Sequence, residues 1–386
     1  MLLARPRLVV AATGALLVFC SFYLLRPHQQ LPRFSFSVGG PPSSSIKTTN
    51  KPYGRDYKGH AEPADINRVA NGTLGFGKVF IVGLPERTDK RDAMALASSL
   101  TGFDIDWVDG VRGETIPNKA VPFGTNRKKL RETNLGSWRG HMNAIKRVLE
   151  ESLDSALIME DDMDWDVRLK PQLELTAAGP FPENLEENLD ASVDDDTDYG
   201  LQAMARKFTI LGDATVPSHA HLTGIVDFAQ HPEHTRWVHV TAAPICTFAY
   251  AVSRRGAHKI LYDLSVDRLV GPFDNALAWL CRRAVGSWRG LGRGEDPDSL
   301  GDRGLDAKCL SVTPPLFFHH KAKGLVNADS DIHNYGGGDG GDDSEEGASE
   351  KPPPEMREKG TTENIVWSAR LNIANMIADR EMESQW

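Results

Sequence analysis

The alternation of apolar and polar residues along the chain predicts an α/β fold. An apolar run at 78–84, KVFIVGL, predicts a buried strand, and the segment 85–100, polar first and apolar later, predicts a helix. Residues 104–110, DIDWVDG, predict a second strand. Strand, helix and strand within about thirty residues form a βαβ unit, which is typical of a parallel sheet.

A second α-to-β step follows. The segment 134–151 predicts a helix with Asn134 as the N-cap, because its apolar residues recur at spacings of three and four. These residues are Leu135, Trp138, Met142, Ile145 and Leu149. A short apolar strand at 156–159 comes next, and residues 246–252 predict a further strand that leads through a turn at 253–256 into a helix. We therefore expect a mostly parallel sheet, whose ligands bind at the carboxyl ends of its strands.

The N-terminus predicts a membrane anchor. Leu8–Leu25 carries no formal charge over eighteen residues, which is close to the lower limit for a transmembrane helix. A cleaved signal peptide is the alternative, but the end of the run matches a cleavage site poorly. Arg5 and Arg7 precede the span and favour a cytosolic N-terminus. We expect residues 1–25 to anchor a single-pass type II protein of the Golgi or endoplasmic reticulum, with a lumenal body.

Composition divides the rest of the chain. Residues 26–77 are rich in Pro, Gly, Ser and Thr, which predicts a flexible, disordered stem. The predicted globular domain covers 78–334, with 182–235 as an irregular insert. An acidic Gly/Pro-rich segment, 335–360, separates it from a predicted C-terminal helix at 361–386.

Charge and cysteine content narrow the class of protein. The net charge is −9 and no basic stripe is interleaved with aromatic residues, so nucleic acid is not an expected partner. Outside the anchor, Cys246, Cys281 and Cys309 allow one disulfide and leave one thiol. Asn71 begins an Asn-Gly-Thr sequon and is a candidate N-glycosylation site, as expected of a lumenal glycoprotein.

A dense acidic run follows the strand at 156–159. Its members are Glu160, Asp161, Asp162, Asp164 and Asp166. Hard divalent cations take carboxylate oxygens, so the run predicts a Mn²⁺ or Mg²⁺ site with Asp161, Asp162 and Asp164 as ligands. Such an ion could bridge a diphosphate and offset charge on a leaving group, which makes Asp162 also a candidate catalytic residue. A solvated acidic turn is the alternative.

Four motifs in order resemble glycosyltransferase family 25, the family of bacterial lipopolysaccharide glycosyltransferases and collagen galactosyltransferases. They are VFIVGLPERTDKRDAM, WVDGVRGE, LGSWRGHMNAIKRVLEESLDSALIMEDDMDWD and TFAYAVSRRGAHKIL. The resemblance is greatest to the fungal branch and covers 78–170, 236–282 and 310–332. The acidic element of the family falls on 159–162, and its Tyr-x-x-Ser-x-x-Gly-Ala element falls on 250–257.

The resemblance implies a GT-A-like fold with a divalent metal, a UDP-sugar donor and inversion at the anomeric carbon. The expected activity is metal-assisted transfer of a hexose, galactose or glucose, to a glycan or glycoprotein acceptor. A Trp-Leu-Gly-His-Cys-Gly stretch found in fungal relatives is missing after the acidic run, which leaves open a catalytically silent lumenal binding or scaffold protein. A metal-dependent phosphoesterase is a third alternative, disfavoured because paired His/Asp sites are absent.

Arg87, Arg91 and His141 are the other candidates for donor binding, together with Glu160. The two arginines lie four apart on one helix face and suit a diphosphate, although a solvated helix surface is the alternative. His141 follows Ser137 by four residues and is either a contact of the site or a hydrogen-bonded core histidine.

Asp274 is the candidate general base. An inverting transfer needs a base within reach of the acceptor hydroxyl, and the alternative role for Asp274 is a helix N-cap. His319 and His320 follow an apolar run, PPLFF, that predicts a strand. Adjacent residues alternate sides on a strand, so at most one of the two histidines can reach a metal or a diphosphate.

Overall fold

The computed structural model describes residues 69–177, 186–187, 206–224, 226–241, 246–285, 305–326, 331 and 355–386. All of them lie within one unit, Ala61–Trp386. The predicted anchor, most of the predicted stem and most of the segment 335–360 lie outside these residues. Among the helices that the structure describes, none has the length and apolar character needed to cross a membrane.

Helices and strands alternate along the first half of the described chain. The α-helices are α1 (Thr88–Thr101), α2 (Glu132–Glu150), α3 (Leu169–Ala177), α4 (Arg254–Leu261, continued by a π-turn at Tyr262–Asp267), α5 (Phe273–Arg283) and α6 (Ile373–Ile377). The strands are β1 (Lys78–Gly83), β2 (Asp106–Asp109), β3 (Ser155–Glu160), β4 (Met163–Trp165), β5 (Glu186–Glu187), β6 (Arg206–Ile210), β7 (Arg236–Val240), β8 (Ala249–Ser253), β9 (Leu310–Thr313), β10 (Phe317–Lys321), β11 (Gly324–Leu325), β12 (Met356–Arg357) and β13 (Thr361–Thr362).

The central sheet has the strand order β2-β1-β3-β8. Strand β1 pairs in parallel with both neighbours, so that Phe80 aligns with Asp106 on one side and with Ile158 on the other. Strand β8 pairs antiparallel with β3. The remaining described pairings join short strands into three small antiparallel sheets, β13-β10-β4, β11-β12 and β5-β6-β7-β9. The expectation of a mostly parallel sheet therefore holds only for three central strands, and the fold is mixed α/β.

The core lies on both faces of the central sheet. Alternate residues of a strand point to opposite faces, and β1 accordingly places Phe80 with the residues of α2, α4 and α5, and Ile81 with those of α1 and β10. The predicted apolar stripe of α2 is present, since Leu135, Trp138 and Met142 are each fully buried. Burial on both faces explains why β1 and β3 are continuous apolar runs.

Three element boundaries differ from the sequence expectation. Helix α2 begins at Glu132, so Asn134 lies inside its first turn and is not the N-cap. The negative charge of Glu132 is favourable there, because the N-terminus is the positive end of the helix dipole. The expected turn at 253–256 is the first turn of α4, because the Ser253 side chain caps that helix by accepting from Gly256 N at 3.1 Å. The folded part also begins before Lys78, since Leu74 is 2% exposed within the core.

The C-terminal segment 361–386 is not one helix. Its only helix is the short α6, and Thr362, Ser368 and Arg370 bond to β4. Asn372 fixes the chain reversal after α6, because its Oδ1 accepts from Glu383 N at 2.8 Å and its Nδ2 donates to Glu383 O at 3.0 Å. Asp166 forms a bridge with Ser368, so the segment packs as part of the same domain.

One disulfide joins Cys281 of α5 to Cys309, with their Cα atoms 5.5 Å apart. Cys246 is an exposed free thiol. The pairing agrees with the sequence expectation of one disulfide and one remaining thiol. It ties the helix layer to the strand β9 that follows Cys309.

Candidate active site

The acidic run forms a buried turn at the carboxyl end of β3. Asp161 and Asp162, here called the acidic turn, lie between β3 and β4 and are 5% and 9% exposed. They are buried because β4 folds back and pairs with β10, which covers the turn. The alternative of a solvated turn is therefore wrong.

Gly83 at the end of β1 makes room for the acidic turn. A Cβ atom at this position would lie 2.3 Å from Asp161 Oδ2 and 2.6 Å from Asp161 Cβ. Strands β1 and β3 are neighbours in the sheet, so their carboxyl ends meet at one edge. Glycine at the end of β1 lets the Asp161 carboxylate approach that edge.

Lys90 lies among the carboxylates. Its Nζ donates to Asp161 Oδ1 and to Asp162 Oδ2, both at 3.0 Å, and to Asp331 Oδ2 at 2.9 Å. Lys90 is only 7% exposed. A buried lysine needs this kind of charge pairing, because an isolated ammonium loses its hydration on burial. The structure thus places a positive charge directly on the acidic turn.

Asp162 has a second partner and one buried unpartnered atom. His319 Nε2 lies 2.8 Å from Asp162 Oδ2, while His320 turns to the other side of β10, with its Nδ1 2.8 Å from Thr362 Oγ1. The predicted alternation of the two histidines is present. Asp162 Oδ1 is buried and, among the described residues, no hydrogen-bond partner lies within reach of it.

The charges of the acidic turn interact strongly. Burial and the neighbouring charge of Asp162 raise the pKa of Asp161 to about 7, against the attraction of Lys90. Burial would also raise the pKa of Asp162, but the hydrogen bond with His319 and the charge of Lys90 hold this pKa below its ordinary value. Burial lowers the pKa of Lys90, yet the attraction of the surrounding carboxylates outweighs it and raises that pKa. Of the two aspartates, Asp162 therefore loses its proton first, and Asp161 keeps its proton to a higher pH.

Asp164 lies apart from the acidic turn, although the sequence predicts it as a metal ligand. It is fully buried in β4, where its carboxylate accepts from Thr362 Oγ1 at 2.6 Å, from Ser368 Oγ, from Arg370 N at 3.1 Å and from Trp165 N at 2.8 Å. Both oxygens are thus used in holding the C-terminal segment. Asp164 therefore fixes β4 to the C-terminal segment.

Arg370 of the C-terminal segment holds the backbone of the acidic turn. Its Nη2 donates to the carbonyl oxygen of Asp161 at 2.7 Å, and its Nε donates to that of Met163 at 2.8 Å. A guanidinium presents its donors in a fixed fork, so the two bonds set the direction of the chain at this point. Arg370 is a positioning residue for the turn.

Glu160 and His141 belong to a neighbouring group at the end of β3. Glu160 Oε1 accepts from Thr247 Oγ1 at 2.7 Å and lies 3.5 Å from His141 Nε2. His141 is 1% exposed, stacks on Phe273 with ring centroids 4.3 Å apart, and has its Nδ1 3.0 Å from Tyr250 Oη. His141 is thus a buried histidine that orients Glu160, and the side chain that reaches the site is Glu160.

Asp274 lies in the first turn of α5, one residue after Phe273. The N-cap position is occupied by Pro272, and the half-buried Asp274 carboxylate accepts from Asn275 N at 2.8 Å. Burial raises the pKa of the Cys246 thiol, and the charges of Asp274 and Glu160 raise it further. The ring of Phe273, the residue before Asp274, stacks on His141 at 4.3 Å, and His141 Nε2 lies 3.5 Å from Glu160, so the start of α5 lies beside the end of β3.

Arg87 and Arg91 have protein partners. Arg87 Nη2 lies 2.7 Å from Asp89 Oδ2. Arg87 also pairs with Asp331, and Asp331 in turn pairs with Lys90. Arg91 donates to the carbonyl oxygen of Gly83 at 3.2 Å and to the Asp109 carboxylate. Arg87 therefore borders the acidic turn, whereas Arg91 braces the end of β1.

The donor set of the turn suits a hard divalent cation in its chemistry. The carboxylates of Asp161 and Asp162, including the buried, unpartnered Asp162 Oδ1, are ligands that Mn²⁺ or Mg²⁺ would accept, and the His319 imidazole lies beside them. In the arrangement seen, the carboxylates close around Lys90, and no group of three or more His, Cys, Asp or Glu side chains in the described part of the chain could hold a metal ion. A metal at this turn therefore requires the ammonium to move.

Lys90 and Arg370 are the site residues that sequence reasoning missed. A signal for Lys90 exists, since it shares the inward face of α1 with Met94 and Ala97 at helical spacing. An inward lysine next to an acidic strand end indicates a charge pair. Arg370 has no such signal, because its contact with Asp161 joins residues far apart in sequence.

Comparison with known proteins gives distant matches to galactosyltransferases. Over 113 residues the chain is 24% identical to procollagen galactosyltransferase 2 of Mus musculus, and equally to that of Homo sapiens. It is 25% identical over 112 residues to procollagen galactosyltransferase 1 of Danio rerio. Each match covers 26% of this chain and 18% of the relative.

The matched segment thus spans less than a fifth of the length of these curated relatives. No family model matches the chain. Membership of the fungal branch of glycosyltransferase family 25 stays a prediction. Over the matched segment, the chain is a distant homologue of procollagen galactosyltransferases.

Proposed function

We propose that the protein is a glycosyltransferase that moves a hexose from a UDP-sugar to a glycan or glycoprotein acceptor. The observation that carries the proposal is the buried acidic turn at the carboxyl end of β3, in a chain distantly related to galactosyltransferases. Three parallel strands with helices on both faces support a GT-A-like arrangement for this site. Galactose or glucose is the proposed sugar.

Asp161 and Asp162 are the proposed holders of a Mn²⁺ or Mg²⁺ ion, with His319 beside them. The support is the unpartnered, buried Asp162 Oδ1 and the contact of His319 with the same carboxylate. When bound, the ion would supply positive charge that offsets the charge developing on the leaving diphosphate. Arg87 borders the turn and is the proposed arginine contact for the donor phosphates.

Asp274 is the proposed base for the acceptor. In an inverting transfer it takes the proton of the acceptor hydroxyl while that oxygen bonds to the anomeric carbon and the UDP oxygen leaves. Its position in the first turn of α5, next to the Phe273 ring that stacks on His141, supports this role. Glu160, oriented by Thr247 and His141, is the proposed contact for donor hydroxyls.

The proposed location is the lumen of the Golgi or endoplasmic reticulum, with a membrane anchor at Leu8–Leu25. The Cys281–Cys309 disulfide supports an oxidising compartment. The apolar N-terminal run supports the anchor. The body that carries the acidic turn would then face the lumen.

A donor screen tests the proposal. The purified protein is incubated with UDP-galactose or UDP-glucose, Mn²⁺ and a panel of acceptors that includes a procollagen-type peptide, and UDP release is measured. The proposal expects acceptor-stimulated release of UDP with one donor. Donor binding without such release from any acceptor would favour the catalytically silent alternative. Release of phosphate from simple esters would favour the phosphoesterase.

A further inference from the structure

Lys90 uses the oxygen atoms that a metal ion would need. Its ammonium contacts one oxygen of Asp161 and one of Asp162, both at 3.0 Å. The side chain of Lys90 is 8% exposed, so its charge is little screened by water. The pairing therefore neutralises much of the charge that would attract a cation.

The acidic turn nevertheless keeps a feature that a charge pair does not explain. Asp162 Oδ1 is buried, and the described residues offer it no hydrogen-bond partner. A buried acceptor without a partner is costly and calls for an explanation, and a bound cation is one that suits a carboxylate oxygen. Asp162 thus keeps one oxygen available to a cation, while Lys90 and His319 contact its other oxygen.

An ammonium and a divalent ion cannot share the turn without repulsion. A metal on Asp162 would lie within about 4 Å of an ammonium that contacts the same carboxylate, where like charges repel strongly in a partly buried site. Asp331 offers the ammonium a place to go, because it already accepts from Lys90 Nζ at 2.9 Å. Movement toward Asp331 would free both aspartates.

We propose that Lys90 is a built-in competitor of the divalent cation, so that metal binds the acidic turn only when the ammonium leaves Asp161 and Asp162. The inference rests on the proposed function for the choice of metal. It makes Lys90 a determinant of metal affinity. The wild-type protein then binds free Mn²⁺ weakly.

The test is Mn²⁺ affinity, measured by titration calorimetry without donor. Lys90→Met and Lys90→Gln remove the charge and should bind Mn²⁺ at least about tenfold more tightly than wild type, because one like-charge contact is lost. Lys90→Arg keeps the charge and should stay within about twofold of wild type. Lys170→Met is the matched control, since Lys170 Nζ donates to the backbone carbonyls of Ala70 and Gly102. Equal Mn²⁺ affinity in wild type, Lys90→Met and Lys90→Gln would overturn the proposal.

A double variant locates the metal. Adding Asp162→Asn to Lys90→Gln should remove the gain in Mn²⁺ affinity. A gain that survives in the double variant would place the ion elsewhere and contradict the proposal. Folding is followed in parallel by the thermal midpoint. Lys90→Met leaves the carboxylates without a counter-charge, so Mn²⁺ should raise the thermal midpoint of this variant more than that of wild type. If Lys90→Met does not fold, the Mn²⁺ affinity of Lys90→Gln is the test, because its amide still donates to the carboxylates.

The outcomes separate this inference from the proposed function. Metal-dependent UDP-sugar turnover with unchanged Mn²⁺ affinity in the Lys90 variants would end the inference and leave the proposed function standing. Tighter Mn²⁺ binding in these variants, without transfer to any acceptor, would support the inference and contradict the proposed function.

Discussion

Arg370 Nη2 donates to the carbonyl oxygen of Asp161 at 2.7 Å. Together with the bond from Arg370 Nε to Met163 O at 2.8 Å, this contact fixes the backbone on both sides of Asp162. The C-terminal segment thus reaches the acidic turn through the side chain of Arg370. The turn that we propose as the metal site depends on residues that lie outside the expected catalytic domain 78–334.

Replacing Arg370 tests this dependence. Arg370→Lys keeps a positive charge but cannot make both backbone bonds, so we expect a loss of about 1–2 kcal/mol in the free energy of unfolding. We also expect Mn²⁺ and donor affinity to fall together, because the turn loses its orientation. Arg380→Lys is the control, since the exposed side chain of Arg380 donates to Ala374 O at 3.3 Å, within the C-terminal segment itself. Unchanged Mn²⁺ affinity in Arg370→Lys would contradict the positioning role.

Asp164 should matter for stability and not for metal binding. Asp164→Asn replaces an acceptor of four hydrogen bonds by an amide, whose NH₂ faces donors, so we expect a loss of about 2–3 kcal/mol in the free energy of unfolding. Denaturant unfolding gives this loss, and calorimetry should give an Mn²⁺ affinity near that of wild type. Asp154→Asn, at an exposed position, should change neither quantity. A loss of Mn²⁺ binding in Asp164→Asn at full stability would restore Asp164 as a metal ligand.

The strand pattern and the acidic turn could be predicted from the sequence because they depend on local signals. The apolar run of β3 predicted that Asp161 and Asp162 lie at the carboxyl edge of the central sheet, and strand alternation separated His319 from His320. Both inferences use only the period of a strand and the rule that ligands bind at carboxyl ends.

The partners of these residues could not be predicted in the same way. Asp162 and Asp164 belong to the same acidic run. Strand β4 nevertheless directs the Asp164 carboxylate into the core, whereas Asp162 stays in the acidic turn. Which oxygen meets Thr362 or Lys90 is decided by contacts between distant parts of the chain. A one-dimensional pattern carries no signal for such contacts.

A buried ion pair should make stability depend on pH. Asp213 accepts from Arg236 Nε at 2.6 Å, and Arg236 Nη1 donates to the carbonyl oxygens of Pro314 and Pro315, ahead of the strand that carries His319. Burial would raise the pKa of Asp213, but the charge of Arg236 and the hydrogen bonds from Thr215 lower it. A folded pKa below the unfolded one stabilises the protein above the unfolded pKa of about 3.9, and this stability is lost as pH falls through the folded value.

Asp213→Asn tests this ion pair. At pH 7 we expect a loss of about 3–5 kcal/mol in the free energy of unfolding, because Arg236 is left buried without its counter-charge. The gap between the variant and wild type should narrow as pH falls below about 4, because the unfolded wild-type chain takes up a proton at Asp213 there, whereas the folded protein does so only at lower pH. Unfolding curves across this pH range measure the gap. A gap that is constant with pH would show that the charge of Asp213 contributes nothing.

The lumenal location predicts modification at Asn71. The Asn71 side chain is exposed, and its Oδ1 accepts from the backbone of Thr73 and Gly75, both at 2.9 Å, which holds the sequon in a turn at the start of the folded domain. We expect the protein made in a eukaryotic cell to show an endoglycosidase-sensitive mass shift that Asn71→Gln removes. Thr362→Ser, at a buried threonine outside any sequon, serves as a control for handling. Absence of the shift in wild-type protein would speak against a lumenal body.

The central claim is that Asp161 and Asp162 hold a divalent ion against the donor of a hexose transfer. Its most direct test is UDP-sugar turnover by Asp162→Asn and wild type at matched Mn²⁺ concentration, with Asp154→Asn as the control. Asp162→Asn preserves the shape of the side chain but removes the charge, so we predict a fall in turnover of about 100-fold or more at a near-normal thermal midpoint. Metal-dependent turnover that is unchanged in Asp162→Asn, and also in Asp161→Asn, would contradict the assignment of the acidic turn as the metal site.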